Sequence, residues 1–452
     1  MRRDMNVIII IIDCLRRDYS KELQDKAKKK GFIIYNNVIA PAPWTVPSVV
    51  SILTGLYPTA HGVHETSNRK IPYIRVPRKV SKLFLNRLLS SAGFLTYLLS
   101  ANPLITPEFG FKYFDYTYIV DPNPPSKPSI GKLLRVLAGR SKLFVQNSKS
   151  KLGAKFAQYT QYIVSKKLRE LTRSREDKGA SILLKIAKEI LKHTKKPVFL
   201  YIHLMEPHEP YSTLSSKELF IWQYVNIVTG IINPELVLKL REGYVRSVKY
   251  ITRKVIEFVN FLEEEGILYK SLVVISSDHG QLLGEHNRLM HGIYLYDELL
   301  RVPLIIKYPE HLNIHHSNNY GFISLVKLRK LIYAALTCRI ESDELLYEDS
   351  VFSESYGIHH DLEVFARQHN VPESIIRAVN SYGRLNTIEK HRIAVYTRYY
   401  KAVYNVNDRR CEEILLHEKS LPKAVEEHTI EHKILKFLRT CIAERVKMTI
   451  VC

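Results

Sequence analysis

Apolar residues in this chain fall into two patterns, and the spacing of each predicts its element. Residues 6–12, Asn-Val-Ile-Ile-Ile-Ile-Ile, are β-branched with no polar alternation, which marks a strand buried on both faces of a parallel sheet. Residues 32–38, 94–99, 198–204, 272–276 and 302–306 read as further short buried strands. Between them apolar positions recur every three or four residues at 80–91, 181–193 and 233–266, the spacing of amphipathic helices. The last of these puts Leu240, Tyr244, Val248, Ile251, Val255, Phe258 and Leu262 on one stripe and stops at Gly266. Past residue 308 the signals weaken to helical texture at 324–336 and 361–380, antiparallel strands at 392–396 and 401–404, and a basic helix over 430–446. Strands alternating with helices predict an α/β fold: a mostly parallel central sheet with helices on both faces, plus a smaller C-terminal α+β region. The expected division is a catalytic domain over 1–310 and a smaller subdomain over 311–452 that completes the fold.

Composition adds a charge and its location. The chain has 452 residues, is 46% hydrophobic and carries a formal charge of +22, enough for a large core and for attraction to an anionic partner. Half of that charge, +11, falls in residues 124–178, where fourteen Lys and Arg face three Glu and Asp. Basic amphipathic helices inserted there read first as a solvated insertion, and alternatively as a platform for peripheral contact with an acidic membrane surface or a polyanion. No specific nucleic-acid motif is present. Five scattered cysteines (Cys14, Cys338, Cys411, Cys441, Cys452), odd in number and without a paired CxxC, argue against a disulfide framework and for a reducing, cytoplasmic setting. The apolar run at 7–12 is short and closes on Asp13, unlike a signal peptide, and no run reaches bilayer-spanning length.

The chemistry-bearing residues sit at predicted strand ends, where open α/β sheets bind ligands. Asp13 follows the first strand, His203 and His208 close the strand at 198–204, and Asp278-His279 follow the strand at 272–276. Thr45 opens a helix with Pro47 in its first turn and Gly55 at its stop; the free amides of such a helix start attract anions. Two carboxylates with an imidazole suit one divalent cation, Mn2+ or Zn2+ ahead of Ca2+ or Mg2+, which would activate the threonine hydroxyl. Whether a second ion binds is left open by these residues, with His203, His286 and His291 available. Taken singly, each feature is equally a helix cap or a packed core residue.

Together these stretches carry a resemblance. Asp13-Cys14-Leu15-Arg16-Arg17-Asp18, the 44–62 stretch with its Thr54-Gly55-x-x-Pro58-x-x-His61-Gly62 ending, His203 to Tyr211, Asp278-His279-Gly280-x-x-x-Gly284-Glu285-His286, and His291-Gly292 leading to Leu300-Arg301-Val302-Pro303-Leu304 resemble, in order and spacing, the sulfatase branch of the alkaline phosphatase superfamily. Ala101-Asn102-Pro103, Phe109-Gly110-Phe111 and residues 392–405 are similar to it too, whereas 314–387 match poorly. The resemblance implies metal ligation by Asp13, Thr45, Asp278 and His279, with Thr45 as nucleophile. It implies contact with the transferred anion by His208, His291 and Asn102, and protonation of the leaving oxygen by His208 or His291. His61 and His203 are weaker candidates.

Two departures steer the chemistry. Formylglycine sulfatases carry a cysteine or serine where this chain has Thr45, and an arginine where it has Val49. Threonine cannot become that aldehyde, so release of a covalent intermediate needs water to attack the central atom, a step ordinary for phosphorus. The expectation is therefore a metal-dependent hydrolase that cleaves a phosphodiester or phosphonate monoester through Thr45. The alternatives are a sulfuric ester hydrolase and a catalytically degenerate protein that binds anions or membrane surfaces.

Overall fold

The computed structural model describes residues 5–120, 174–317, 321–337, 339–382, 385–417 and 426–451. Of the basic insertion expected at 124–178, all but 174–178 lies outside the described residues.

Seven strands form the central sheet: β1 (Asn6–Ile12), β2 (Ile33–Tyr35), β3 (Leu95–Ser100), β4 (Tyr116–Ile119), β5 (Val198–Leu204), β6 (Ser271–Ser276) and β7 (Leu304–Lys307), in the order β2-β7-β6-β1-β5-β3-β4. β1 pairs in parallel with β5 and β6, and β3 with β5 and β4. β7 runs antiparallel to both of its neighbours. β1 is central because it is apolar on both faces. Ile8, Ile10 and Ile12 join the core under the helices Ala180–His193 and Pro234–Glu264, while Val7, Ile9 and Ile11 join the core under Thr45–Thr54 and Lys327–Leu336. All six side chains are fully buried, and each contributes about 2 kcal/mol through burial.

The sheet register aligns the chemistry. Ile11 lies beside both His203 and Ser276, and Ser100 beside His203. The residues just past the ends of these strands therefore emerge along one edge. Asp13 is fixed there by its backbone N–H on Leu204 O at 2.8 Å.

A second, antiparallel sheet of four strands, β8 (Ser350–Ser355), β9 (Arg392–Thr397), β10 (Tyr400–Asn405) and β11 (Arg410–Leu416), is covered by the final helix, Glu427–Val451, through Ile430, Ile434, Phe437 and Cys441. Several predicted elements differ in detail. The helix expected at 361–380 is two, Leu362–Gln368 and Glu373–Asn380, because Pro372 lacks an N–H and holds the residue before it out of the helical region. The helix expected at 80–91 is also two, Arg78–Ser81 and Leu85–Ser91, separated at Phe84, which is extended (ψ 146°), fully buried and packed on Phe111. The strand at 32–38 splits after Tyr35, and Val38–Ile39 pairs instead with Phe322–Ser324. Among the described residues no helix is long and apolar enough to cross a membrane.

Candidate active site

Thr45 opens a ten-residue helix, α1 (Thr45–Thr54), whose side chains are all buried. Trp44 precedes it in extended backbone, and Gly55 closes it at φ 72° with its N–H on Ser51 O. Ser48 Oγ donates to Asp278 O at 2.7 Å, tying the first turn of α1 to the end of β6. That tie aims the Thr45 hydroxyl at the sheet edge, where Asp13, Asp278 and His279 have no exposure to solvent.

Four groups converge on one point. Thr45 Oγ1, Asp13 Oδ1 and Asp278 Oδ2 lie 3.2, 3.5 and 3.6 Å from His279 Nε2. His279 Nδ1 lies 2.8 Å from Gly280 O. A carbonyl only accepts, so Nδ1 carries the proton and the bare Nε2 lone pair faces the carboxylates, the orientation of a metal-ligating imidazole. Gly280 makes this turn feasible: a Cβ there would lie 1.9 Å from Glu298 O. Gly280→Ala is expected to destabilise the fold by about 3 kcal/mol through overpacking, read as a lower melting temperature with weakened metal retention.

The electrostatics call for a cation. Burial and the charge of Asp13 push Asp278 up to about 8. At Asp13 burial acts upward too, but the hydrogen bond from His203 and the nearby imidazoles outweigh it and hold the carboxyl well below the usual range. Both carboxylates cannot be ionised side by side in a buried site without a counter-charge. Asp278 Oδ2 is moreover buried without a hydrogen-bond partner, an expensive state for a carboxylate. An oxygen-rich, part-imidazole pocket with an orphaned carboxylate oxygen fits a divalent ion held by Asp13, Thr45, Asp278 and His279.

Around this core the remaining candidates take distinct places. Asn102 Nδ2 donates to Asp13 Oδ2 at 2.7 Å and Asn102 Oδ1 accepts from Leu104 N, so Asn102 stands behind Asp13. His203 joins the site: its Nε2 lies 3.0 Å from the same Asp13 oxygen and 3.9 Å from Asp278 Oδ2. His291 and His208 pack edge to face at 5.1 Å, and His291 lies 4.5 Å from His279. His61 is held between Ser51 Oγ and Val63 N, a structural position within the helix turn. His286 pairs with Glu298 and stacks on Tyr296 at the surface, away from the site.

Further side chains complete the site, most of them without a signal of their own in the sequence. Cys14, at φ 62°, points its thiol to Asp13 Oδ1 at 3.2 Å and to Gln281 Oε1 at 3.5 Å. Gln281 donates its amide to Glu209 Oε2 and faces its oxygen to His291 Nδ1 at 2.7 Å. Because Glu209 only accepts, the amide orientation is set, His291 Nδ1 must carry the proton, and His291 Nε2 is a bare acceptor. Burial and the neighbouring imidazoles of His279, His208 and His359 hold His291 well below the usual histidine range. His359, stacked between Trp44 and His291, comes from the poorly matched stretch. Only the two-residue spacing of Gln281 from His279 offered a clue.

A model of the sulfatase family matches residues 5–330. An arylsulfatase of Clostridium perfringens is 28% identical over 142 residues, a match spanning 26% of this chain and 29% of that protein. This chain thus spans less than a third of the length of that relative. Among solved structures, a 2-O GAG sulfatase aligns with a TM-score of 0.60 at 15% identity over 99% of this chain and 92% of that one. The phosphonate monoester hydrolase of Silicibacter pomeroyi aligns with a TM-score of 0.58 at 15% identity over 98% and 95%. At such identities the two likenesses show the fold.

Proposed function

This chain belongs to the sulfatase family, and from that membership we propose that it hydrolyses a monoanionic phosphate ester, a phosphodiester or phosphonate monoester, through a covalent intermediate on Thr45. The observation that carries this reading is the convergence of Thr45 Oγ1 with His279 Nε2 at 3.2 Å and Asp13 Oδ2 at 3.4 Å. A threonine placed there can form and lose a phosphoryl ester, but it cannot expel sulfate by aldehyde collapse.

A divalent ion held by Asp13, Thr45, Asp278 and His279, with Mn2+ and Zn2+ preferred for the imidazole, supplies Lewis-acid chemistry: a lower hydroxyl pKa and charge neutralisation. The chain's own groups do the rest. Thr45 Oγ1 gives up its proton to solvent and attacks phosphorus in line, the bond from phosphorus to the ester oxygen breaks, and the amides at the start of α1 face the developing charge. His208, half-buried and open to solvent exchange, protonates the departing ester oxygen. In the second half-reaction the bare Nε2 of His291 takes the proton of the attacking water, the bond between phosphorus and Thr45 Oγ1 breaks, and that oxygen regains a proton from solvent as the product leaves.

Site charge favours a monoanion. Among the described residues, Asp13, Thr45, His279 and His291 take their side-chain partners from one another and from Cys14, Asn102, His203, Glu209, Asp278 and Gln281, none of them a lysine or arginine. Two carboxylates balance one divalent ion, and burial holds the flanking His291 and His359 neutral. Among the described residues, a dianionic monoester would find no lysine or arginine side chain bonded to these groups to offset its second charge, and the Lys178 ammonium behind His208 is held by backbone carbonyls.

The test compares bis(p-nitrophenyl) phosphate, p-nitrophenyl phosphate and p-nitrophenyl sulfate, after chelation and after addition of Mn2+ or Zn2+. Turnover is expected to need the ion, and kcat/KM for the diester is expected to exceed that for the monoester by about 10²-fold, or about 2.7 kcal/mol of transition-state discrimination. Turnover of the sulfate alone would overturn the phosphoryl reading.

A further inference from the structure

Lys178 closes the basic stretch of sequence and is buried, only 8% exposed. A buried ammonium is costly unless it is well partnered. Its partners here are unusual, because the hydrogen bonds go to backbone. Nζ donates to Glu206 O at 3.1 Å and to His208 O, and it lies 5.2 Å from the centre of the Tyr211 ring. The backbone of the same segment is laced to the same loop, for the N–H groups of Lys178 and Ala180 donate to Glu206 Oε1 at 3.0 and 2.9 Å. Gly179 between them sits at φ 130°, where a Cβ would meet Val120 Cγ1 at 2.8 Å. That backbone, open only to glycine, lets two amides converge on one carboxylate.

His208 depends on this lacing. Its N–H bonds to Met205 O at 3.0 Å, and its Nδ1 lies 2.6 Å from Glu209 O. The direction of the ring is therefore set by the peptide planes of residues 205–209. The Lys178 ammonium grips two of the carbonyls in that stretch.

We propose that Lys178 is a positioning residue for His208: a buried ammonium that fixes the carbonyls of Glu206 and His208 and so aims the His208 imidazole at the departing ester oxygen. This rests on the function proposed above. A methionine would fill the same space without the cost of a buried charge, so the ammonium is explained by what it holds. Misplacement of a catalytic group by about 1 Å costs on the order of 10²-fold in rate.

The experiment uses the full chain loaded with Zn2+ and two readouts, diester kinetics and the ring 15N resonances of His208. Lys178→Met is expected to retain Zn2+ affinity and to lower kcat by about 10²-fold, with KM changed by less than about threefold. The His208 ring resonances should move while those of His279 hold. Lys178→Arg, whose guanidinium also reaches two acceptors, should recover part of kcat, and n-butylammonium should rescue Lys178→Ala. If Lys178→Met does not fold, Lys178→Gln, which keeps two donors without the charge, replaces it under the same readouts. Unchanged kcat, or a fall in kcat with the His208 resonances unmoved, overturns the proposal. Should the wild-type chain turn over no ester, the functional reading fails, while the His208 resonances, which need no substrate, still decide the role of Lys178.

Discussion

Thr45→Ala is expected to lower diester turnover by about 10⁴-fold or more, because among the described residues no other hydroxyl is presented where the nucleophile must stand. The neighbouring Ser48 is committed to Asp278 O and Ser51 to His61. Stability should change by no more than about 1 kcal/mol, since alanine keeps the helix start and leaves only a small gap. Loss of activity would then be chemical, which circular dichroism and the melting temperature can verify. Thr45→Ser keeps the nucleophilic oxygen and should retain measurable turnover, reduced because the hydroxyl loses the rotamer restriction that the β-methyl imposes. Acid quench of the wild-type reaction should trap a phosphoryl group on the peptide that contains Thr45. Turnover in Thr45→Ala equal to that of the wild type would remove Thr45 from the mechanism.

That Thr45, Asp13, Asp278 and His279 meet was legible in the sequence because each is anchored to a strongly patterned element. An unbroken β-branched run announces a central strand, and the residue at its C-terminal end must emerge at the binding edge. The direction of β7 was not legible: a short apolar run is the same read either way, and only pairing with β6 and β2 shows it antiparallel. Gln281, Glu209 and Cys14 were out of reach for a different reason. Their contribution is the hydrogen bond each makes to a group far along the chain, Gln281 to Glu209 across 72 positions and Cys14 to Gln281 across 267, and no local pattern encodes such a partner. His203 gives only a weak signal, because a histidine inside an apolar strand reads as core, and it becomes a site residue through the register that sets it beside Asp13. The antiparallel sheet of β8 to β11 was half visible, since β9 and β10 alternate with their turn between them while β8 lies isolated among weak signals.

Asp278→Asn separates the metal-site reading from a purely structural one, because the two predict opposite signs. Without an ion the wild-type site buries two facing carboxylates, one of them with an oxygen that has no partner. There Asp278 is kept protonated beside Asp13, at a cost relative to the unfolded chain in which it ionises, and an amide of equal size removes that cost and supplies a donor for Asp13. The ion-free variant is therefore expected to melt higher than the ion-free wild type, by about 1–2 °C, as the relief is worth about 1–2 kcal/mol. With ion added the order reverses. The wild type gains about 2.7 kcal/mol at a free ion concentration of 100 times Kd, whereas a variant that no longer binds gains nothing. Turnover should fall by about 10³-fold or more, in line with removal of a charge-stabilising group from the transition state. Differential scanning calorimetry of both proteins, after chelation and after addition of Mn2+ or Zn2+, checks the two stability signs, and diester kinetics on the same samples checks the third. If Asp278→Asn melts lower when ion-free and still gains stability from the ion, Asp278 acts as a structural cap at the end of β6, and the ion is held by other groups.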